Sequence, residues 1–331
     1  MDLTTVALDR TWPIRNVWTQ DKHDNGGGPL HLSPDYVGVR TFLRLPTIFT
    51  QVGEIVLTSV AVAIAERRAG KIGDRYYAGR SRAVLQRSFI AFKSSTWIII
   101  LSGFIEPVLY LFSFGYGVGK FVGTIDSGSG KMVTYAAFIA PGLLATSAMN
   151  GAIFDSTWNV FEKMHETRLY HGMLATSLGP LDVALGEIAW ALLRGLVYAV
   201  GFMAVVAPLG LIPSWWGILA IPAAVLIAFG FASVGMAITS YFSSYQQMNL
   251  IQIAMMPMFL FSGSFFPISV FSRWVQTIIE LFPLWQAIEL VRGLTLGVIN
   301  VGLLGHVFYF LVMIAGGLYF TTKRLDALFM R

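Results

Sequence analysis

Several runs of about twenty residues in this chain carry almost no charge, and the clearest lie at 215–240 and 301–321. An α-helix needs roughly 20 apolar residues to cross the hydrocarbon core of a bilayer. Hydrophobic residues make up 55% of the sequence and charged residues only 12%, about half the share found in soluble proteins. The sequence therefore predicts an all-α polytopic membrane protein and excludes a soluble globular domain.

The hydropathy fits six spanning helices, at about 95–119, 133–154, 183–207, 215–240, 248–266 and 301–322. Basic residues crowd the approach to the first predicted span, and three more follow the last one, namely Lys323, Arg324 and Arg331. Because Lys and Arg are retained on the cytoplasmic side, both termini are predicted to be cytoplasmic. An even number of crossings agrees with this orientation. We expect a multi-pass protein of the plasma membrane.

Two stretches near the spans are apolar on one side but too short to cross. Residues 80–93 form one of them, and a helix there would gather Val84, Leu85, Ser88, Phe89 and Phe92 on one face. We interpret it as an elbow helix on the inner leaflet, with a short soluble helix as the alternative. The outward stretch at 267–300 predicts two short helices. Because backbone at membrane depth needs partners within the protein, we expect a re-entrant helical hairpin.

These features divide the chain into four parts. Residues 1–79 form an N-terminal cytoplasmic extension, and 80–93 the amphipathic elbow helix. The transmembrane domain covers 94–322, and 323–331 is a cytoplasmic tail. Within the extension, the apolar segment 47–65 predicts a cytoplasmic or surface-lying helix, with a marginal spanning helix as the alternative.

No stretch of the sequence has the residue spacing of a nucleotide-binding or metal-binding motif. Two glycine-rich stretches, at 115–120 and 128–131, end in Gly-Lys, but both lack the glycine five residues before that pair and the Ser or Thr after the lysine. The sequence has no cysteine, and its five histidines have no metal-binding spacing. The net charge of +5 indicates contact with an anionic membrane face rather than with nucleic acid. We expect no cofactor and no catalytic centre in this chain.

Three ionisable residues fall inside predicted spans: Glu106, Glu187 and Arg194. Glu187 and Arg194 are about two helical turns apart and therefore share a face. Charge is costly at this depth, so each residue needs a partner or a function. One interpretation is a structural set facing the bundle interior or the inner interface. The others are that Glu106 lines or gates a transport path, or that the set relays protons.

The predicted cytoplasmic loop at 155–182 alternates charged and apolar residues at helical spacing. It predicts a short amphipathic helix followed by a turn at Gly179 and Pro180. One interpretation is a helix that docks a cytoplasmic partner, and the other is a connector lying on the bilayer. The docking residues would be Val160, Phe161, Glu162, Lys163, Met164, Glu166 and Arg168.

Several separated blocks resemble permease subunits of ABC-2 type exporters, and the most similar members are lipo-oligosaccharide (nodulation-factor) and daunorubicin-type drug exporters. The blocks occur in the family's order over roughly 80–324. They are Ile105-Glu-Pro-Val-Leu-Tyr110, Gly115-Tyr-Gly-Val-Gly119, Phe138-Ile-Ala-Pro-Gly-Leu143, the stretch 168–180, Gly186-Glu187, Pro257-Met-Phe-Leu-Phe-Ser-Gly-Ser-Phe-Phe-Pro267, Phe282-Pro-Leu-Trp285 and Val291-Arg-Gly293.

This resemblance implies a six-helix permease that pairs with a second permease copy and binds two cytoplasmic ABC ATPase subunits, which would hold ATP and magnesium. The docking helix would be the family's coupling helix, and the cargo an amphiphile such as a glycolipid, a lipo-oligosaccharide, a polysaccharide precursor or a hydrophobic drug. An amphiphile needs apolar and aromatic walls, which could come from Phe104, Tyr110, Phe114, Tyr116, Phe138 and Met149, although lipid contact or core packing would equally explain these residues. Two other classes remain open: a membrane-embedded transferase or flippase that acts on lipid-linked substrates without ATP, and a secondary transporter.

Overall fold

The computed structural model describes residues 79–93, 105–127 and 131–329. These residues are mainly helical, with one two-stranded antiparallel ribbon. The N-terminal extension, the apolar segment 47–65 and Phe104 lie outside the described residues. The first predicted span is described only from residue 105 onward.

The elements follow one another along the chain with short connections. Helix α1 covers Ser81–Lys93, and the helical segment α2 covers 105–122, with a π-helical stretch at Leu111–Val118. Strands β1 (Thr124–Asp126) and β2 (Met132–Thr134) form the ribbon. The remaining helices are α3 (Tyr135–Glu166), α4 (Leu169–Leu174), α5 (Pro180–Val206), α6 (Trp215–Thr239), α7 (Tyr245–Phe261), α8 (Arg273–Glu280), α9 (Pro283–Leu296) and α10 (Gly302–Phe329).

Four of the described helices are long and apolar enough to cross a membrane: α3, α5, α6 and α10. Helices α5 and α6 match the predicted third and fourth spans to within a few residues. Helix α10 continues to Phe329 instead of ending at about 322. Helix α3 passes the predicted end at 154 and continues to Glu166, with π-helical turns at Asp155–Asn159 and Glu162–Glu166.

The predicted fifth span, 248–266, overlaps helix α7, which has 17 residues, begins at Tyr245 and ends at Phe261. The chain leaves the helix there because Gly263 adopts a left-handed conformation with φ of 76°. The two short helices expected in the outward stretch are α8 and α9. Pro283 begins α9, and Gly297, with φ of 74°, ends it.

Helix α6 lies at the centre of the bundle and packs against α3, α5 and α10. Its contact with α10 is close because small residues face each other. A Cβ atom at Gly317 of α10 would lie 2.6 Å from the backbone carbonyl carbon of Ser233 in α6. Only glycine permits this approach, as in other membrane helix pairs that pack through small residues.

Helix α1 packs along α5 and is fastened at its start. The Asp182 carboxylate accepts a hydrogen bond of 2.8 Å from the backbone N–H of Arg80 and one of 3.0 Å from that of Gly179. Val84 and Ser88 are buried, whereas Phe89, expected on the same face, is 56% exposed. Residues 84 and 88 are one turn apart, but residue 89 is rotated about 100° further, away from α5.

Candidate functional site

Two ion pairs join α3 to α5 inside the bundle. The Asp155 carboxylate lies 2.9 Å from the Arg194 guanidinium, and the Lys163 amine donates a hydrogen bond of 2.5 Å to Glu187. The acidic side chains are only 1% and 2% exposed. Buried charges are tolerated when they are paired, so these four residues, which we call the ion-pair ladder, stabilise one another.

The ladder follows from the antiparallel arrangement of the two helices. Asp155 and Lys163 are about two turns apart on α3, and Arg194 and Glu187 are about two turns apart on α5, in the reverse order. The expected shared face of Glu187 and Arg194 is thus the face toward α3. The sequence pattern predicts a loop at Asp155 and Lys163, so it does not identify them as the partners of Arg194 and Glu187. The signal for this pairing is that two opposite charges are about two turns apart on each of the two helices, in reverse order.

A cleft of about 450 Å³, which we call the Glu106 cleft, opens beside the ladder. It lies between the start of α2, the second half of α3, α5 and α7. Glu106 is exposed there, and no ion pair joins it to another described residue. The polar and aromatic residues that line the cleft are Glu106, Ser147, Asn150, Phe154, Trp158, Arg194, Tyr198 and Gln252.

The predicted docking residues lie at the end of α3 rather than on a separate short helix, except Arg168, which follows α3 and directly precedes α4. Three of them are buried in the bundle: Val160, Phe161 and Met164. Lys163 belongs to the ion-pair ladder. The exposed members are Glu162, Glu166 and Arg168. Buried apolar residues thus fix the end of α3, while its glutamates, Glu162 and Glu166, remain exposed.

The chain turns sharply after α3 because Arg168 adopts a left-handed conformation with φ of 48°. Tyr170 then anchors α4, since its side chain is completely buried and its ring contacts Phe329 at the end of α10. Burial raises the pKa of the Tyr170 phenol well above its ordinary value, so the group stays neutral. The ends of α3, α4 and α10 therefore form one packed end of the bundle, which we call the docking end.

The candidate path-lining residues separate into two groups. Tyr110 and Phe114 of α2 form an aromatic cluster with Phe259 and Phe265, with ring centroids 5.1 to 6.4 Å apart. Tyr116 is partly exposed on the same helix. Phe138 and Met149 are instead buried inside the bundle, and Phe138 borders a different cavity, of about 330 Å³, beside Arg292. The structure thus brings the α2 aromatic residues to α7 and keeps the two α3 residues apart from them.

A buried arginine fastens α9 to the rest of the bundle. Arg292 donates hydrogen bonds of 2.7 Å to the Gly263 carbonyl and 2.6 Å to Glu289, and its guanidinium lies 4.2 Å above the Phe138 ring centre. Burial lowers the pKa of Arg292, and the Glu289 carboxylate opposes that shift. No sequence pattern marks this cluster, because its members come from three separate segments.

Residues 80–296, which include α1 to α9, match the family described as ABC-2 type transporter. The match covers more than half of the chain. The protein belongs to the ABC-2 type transporter family. The predicted resemblance is confirmed, and an ABC-2 type transporter with these apolar helices is a membrane protein.

Curated relatives agree with this assignment. This chain is 36% identical to Nodulation protein J of Rhizobium leguminosarum bv. viciae over 217 residues, which cover 65% of this chain and 82% of the relative. It is 36% identical to Nodulation protein J of Sinorhizobium fredii over 212 residues, with 63% and 79% covered. It is 32% identical to Nodulation protein J of Bradyrhizobium diazoefficiens over 216 residues, with 65% and 80% covered.

Proposed function

We propose that this ABC-2 protein is the membrane-spanning permease of an ATP-driven exporter of amphiphilic molecules. The leading candidate for the cargo is a lipo-oligosaccharide. The wider class of candidate cargoes also includes glycolipids, polysaccharide precursors and hydrophobic drugs. The observation that carries the proposal is the family match over 80–296, which contains the Glu106 cleft. Cargo leaves the cytoplasm or the inner leaflet.

The topology proposed for the permease has six crossings. Helix α2 with the residues before it supplies the first, and α7 with the residues after it the fifth. Both termini are then cytoplasmic, and α1 lies on the inner leaflet with Phe89 and Ile90 toward lipid. Helices α8 and α9 form the re-entrant hairpin at the outer side. The apolar surface of α1 and the Arg292 contacts of α9 support these placements.

ATP is hydrolysed by separate cytoplasmic ABC ATPase subunits, which bind ATP and magnesium and dock at the docking end. The exposed charges of Glu162, Glu166 and Arg168 support this site, because charged rims orient a partner while buried residues keep the surface rigid. Closure of the ATPase pair would shift the permease between inward-open and outward-open forms.

The working unit contains a second permease copy, placed against α7. This helix buries only Met248 within the described part of the chain, and several large apolar residues of α7 are exposed, including Leu250, Ile253, Met256 and Leu260. Cargo passes along the Glu106 cleft, with Glu106 as a path-lining residue. An exposed carboxylate in an otherwise apolar bundle supports that role.

The docking assignment has a direct test. Glu162, Glu166 and Arg168 are changed together to alanine, Lys163 is kept, and the ATPase subunit is co-expressed and purified through a tag on the permease. We expect loss of co-purification and of cargo-stimulated ATP hydrolysis. The matched control changes Arg273 and Glu280, charged residues of α8, to alanine and should leave both properties intact. Unchanged assembly and coupling in the triple variant would refute the docking site.

A further inference from the structure

Polar groups that lack partners line the Glu106 cleft. The Ser147 hydroxyl is 1% exposed and finds no hydrogen-bond partner in the described part of the chain. Asn150 and Gln252 also line the cleft, and each of their amide groups offers two donors and an acceptor. A buried polar group without a partner costs free energy, so the cleft is suited to a ligand rich in hydroxyl groups or to water.

Aromatic side chains complete the wall. Trp158 of α3 lines the cleft, with its ring stacked on Tyr245 at a centroid distance of 6.3 Å, and Tyr198 of α5, also in the lining, is buried. A sugar ring has hydroxyl groups at its edge and C–H groups on its faces. Those faces pack on aromatic rings by dispersion, while the edge hydroxyls reach amide and carboxylate groups. The Glu106 cleft presents both kinds of surface within one space.

The charge of the cleft argues against an anionic ligand. Arg194 is the cation in the wall, and Asp155 neutralises it at 2.9 Å. Glu106 remains without an ion pair to any described residue, so the local balance is negative. A phosphate or carboxylate group would be repelled, whereas a hydroxyl group can donate a hydrogen bond to Glu106.

The volume of the Glu106 cleft and its apolar edge further define the ligand that would fit. The volume of about 450 Å³ falls within the range of roughly 300–1,000 Å³ for small-molecule sites. Phe154 also lines the cleft and is 51% exposed, so the polar space has an apolar edge. A molecule with a polar head and a hydrocarbon chain could place each part against a matching surface.

We propose that the Glu106 cleft binds the uncharged saccharide head group of an amphiphile, with the hydrocarbon chain left in the bilayer past Phe154. The inference rests on the proposed export function and specifies which part of the cargo the permease recognises. Glu106, Asn150 and Gln252 bind the hydroxyl groups, and Trp158 packs on the ring face.

The absence of cysteine from the sequence makes the test specific, because one introduced thiol is the only reactive one. The full chain with Met255→Cys, at a position that lines the cleft but is assigned no contact with the head group, is placed in phospholipid nanodiscs and labelled with a maleimide. The probe is dodecyl β-maltoside at a sub-solubilising concentration. Dodecylphosphocholine and dodecyltrimethylammonium carry the same hydrocarbon chain with other head groups. Ser243→Cys, at an exposed position between α6 and α7, is the matched control thiol.

We expect dodecyl β-maltoside to slow labelling of Met255→Cys severalfold, with little effect from the other two amphiphiles or at Ser243→Cys. Equal protection by all three compounds, strongest protection by the ammonium compound, or no protection would overturn the saccharide assignment. A binding measurement with radiolabelled dodecyl β-maltoside gives a second readout. Gln252→Ala should raise the Kd for dodecyl β-maltoside about threefold to tenfold, the change expected when one hydrogen bond is lost. Gln246→Ala, on the same helix, should leave this Kd unchanged.

The site and the proposed function fail in different ways. Head-group-selective protection needs no nucleotide, so it persists if export turns out not to depend on ATP. ATP-driven export without selective protection would contradict the site alone. Gln252→Ala with unchanged affinity would likewise contradict the site, even if the docking variant behaves as expected.

Discussion

Lys163 of α3 lies 2.5 Å from Glu187 of α5, and this contact is the only hydrogen bond made by the Glu187 side chain within the described part of the chain. The carboxylate is 2% exposed, and its other oxygen has no partner there. The charge of Glu187 is thus compensated mainly by one amine. Since α3 also carries Glu162 and Glu166, this pair holds the docking end against α5.

The first prediction concerns the loss of that amine. Lys163→Ala leaves a buried carboxylate unpaired, which typically costs about 3 kcal/mol. We expect a melting temperature several degrees lower, measured by tryptophan fluorescence in nanodiscs. The double variant with Lys163→Met and Glu187→Leu removes both charges and should recover most of the loss. If the single and double variants melt together, the ion pair does not stabilise the bundle. Glu162→Ala, one residue away and exposed, should leave the melting temperature unchanged.

The second prediction compares neighbouring glycines of α10. Gly317→Ala would place a methyl group 2.6 Å from Ser233 and force α10 away from α6, at a cost of about 1–3 kcal/mol. Gly316→Ala meets nothing within 4 Å and should keep or slightly raise stability, because alanine favours the helix. Thermal unfolding of both variants under identical conditions checks the contrast. Equal melting temperatures would show that α6 and α10 do not approach this closely.

The third prediction concerns Arg292. Lysine keeps the positive charge but lacks the planar fork that reaches both Gly263 and Glu289 above the Phe138 ring. Arg292→Lys should therefore loosen the segment between α7 and α9 without unfolding the protein. A thiol at Ser264, which is completely buried, reports this change, because it should react with maleimide severalfold faster in the Arg292→Lys background.

Arg273→Lys is the control for that experiment, since Arg273 lies on α8 and bonds only Gln276 among the described residues. Its effect on the Ser264 thiol should be small. Equal reaction rates in the Arg292→Lys variant and in the parent would show that Arg292 does not fasten the segment. Circular dichroism of both variants verifies that the helices remain.

The apolar helices of this protein were predictable from sequence because a helix that crosses a bilayer needs about twenty mostly apolar residues. Apolar runs with few or no charges located α5, α6 and the start of α10 within a few residues. The end of α3 was missed for a physical reason. Asp155 and Lys163 interrupt the apolar run, which suggests a loop, yet each finds an opposite charge on α5 and remains in a helix.

The candidate site was less predictable, because its geometry depends on contacts between distant segments. Glu106, Glu187 and Arg194 stood out as charges in apolar surroundings. Asn150 and Gln252 did not, since an uncharged amide within a span is unremarkable until its neighbours are known. The family resemblance, carried by blocks such as Phe138–Leu143, was readable because those blocks keep their order along the chain, and the match over 80–296 confirmed it.

Helix α3 carries Phe138 under Arg292 near one end and Glu162 at the other, in one continuous helical segment of 32 residues that includes two π-helical turns. At 1.5 Å per residue it is a rod about 48 Å long. A sideways push of a few ångströms at its charged tip would tilt the whole rod. In the proposed arrangement, a displacement applied by an ATPase at that tip would reach both the Glu106 cleft and α9 through this one helix.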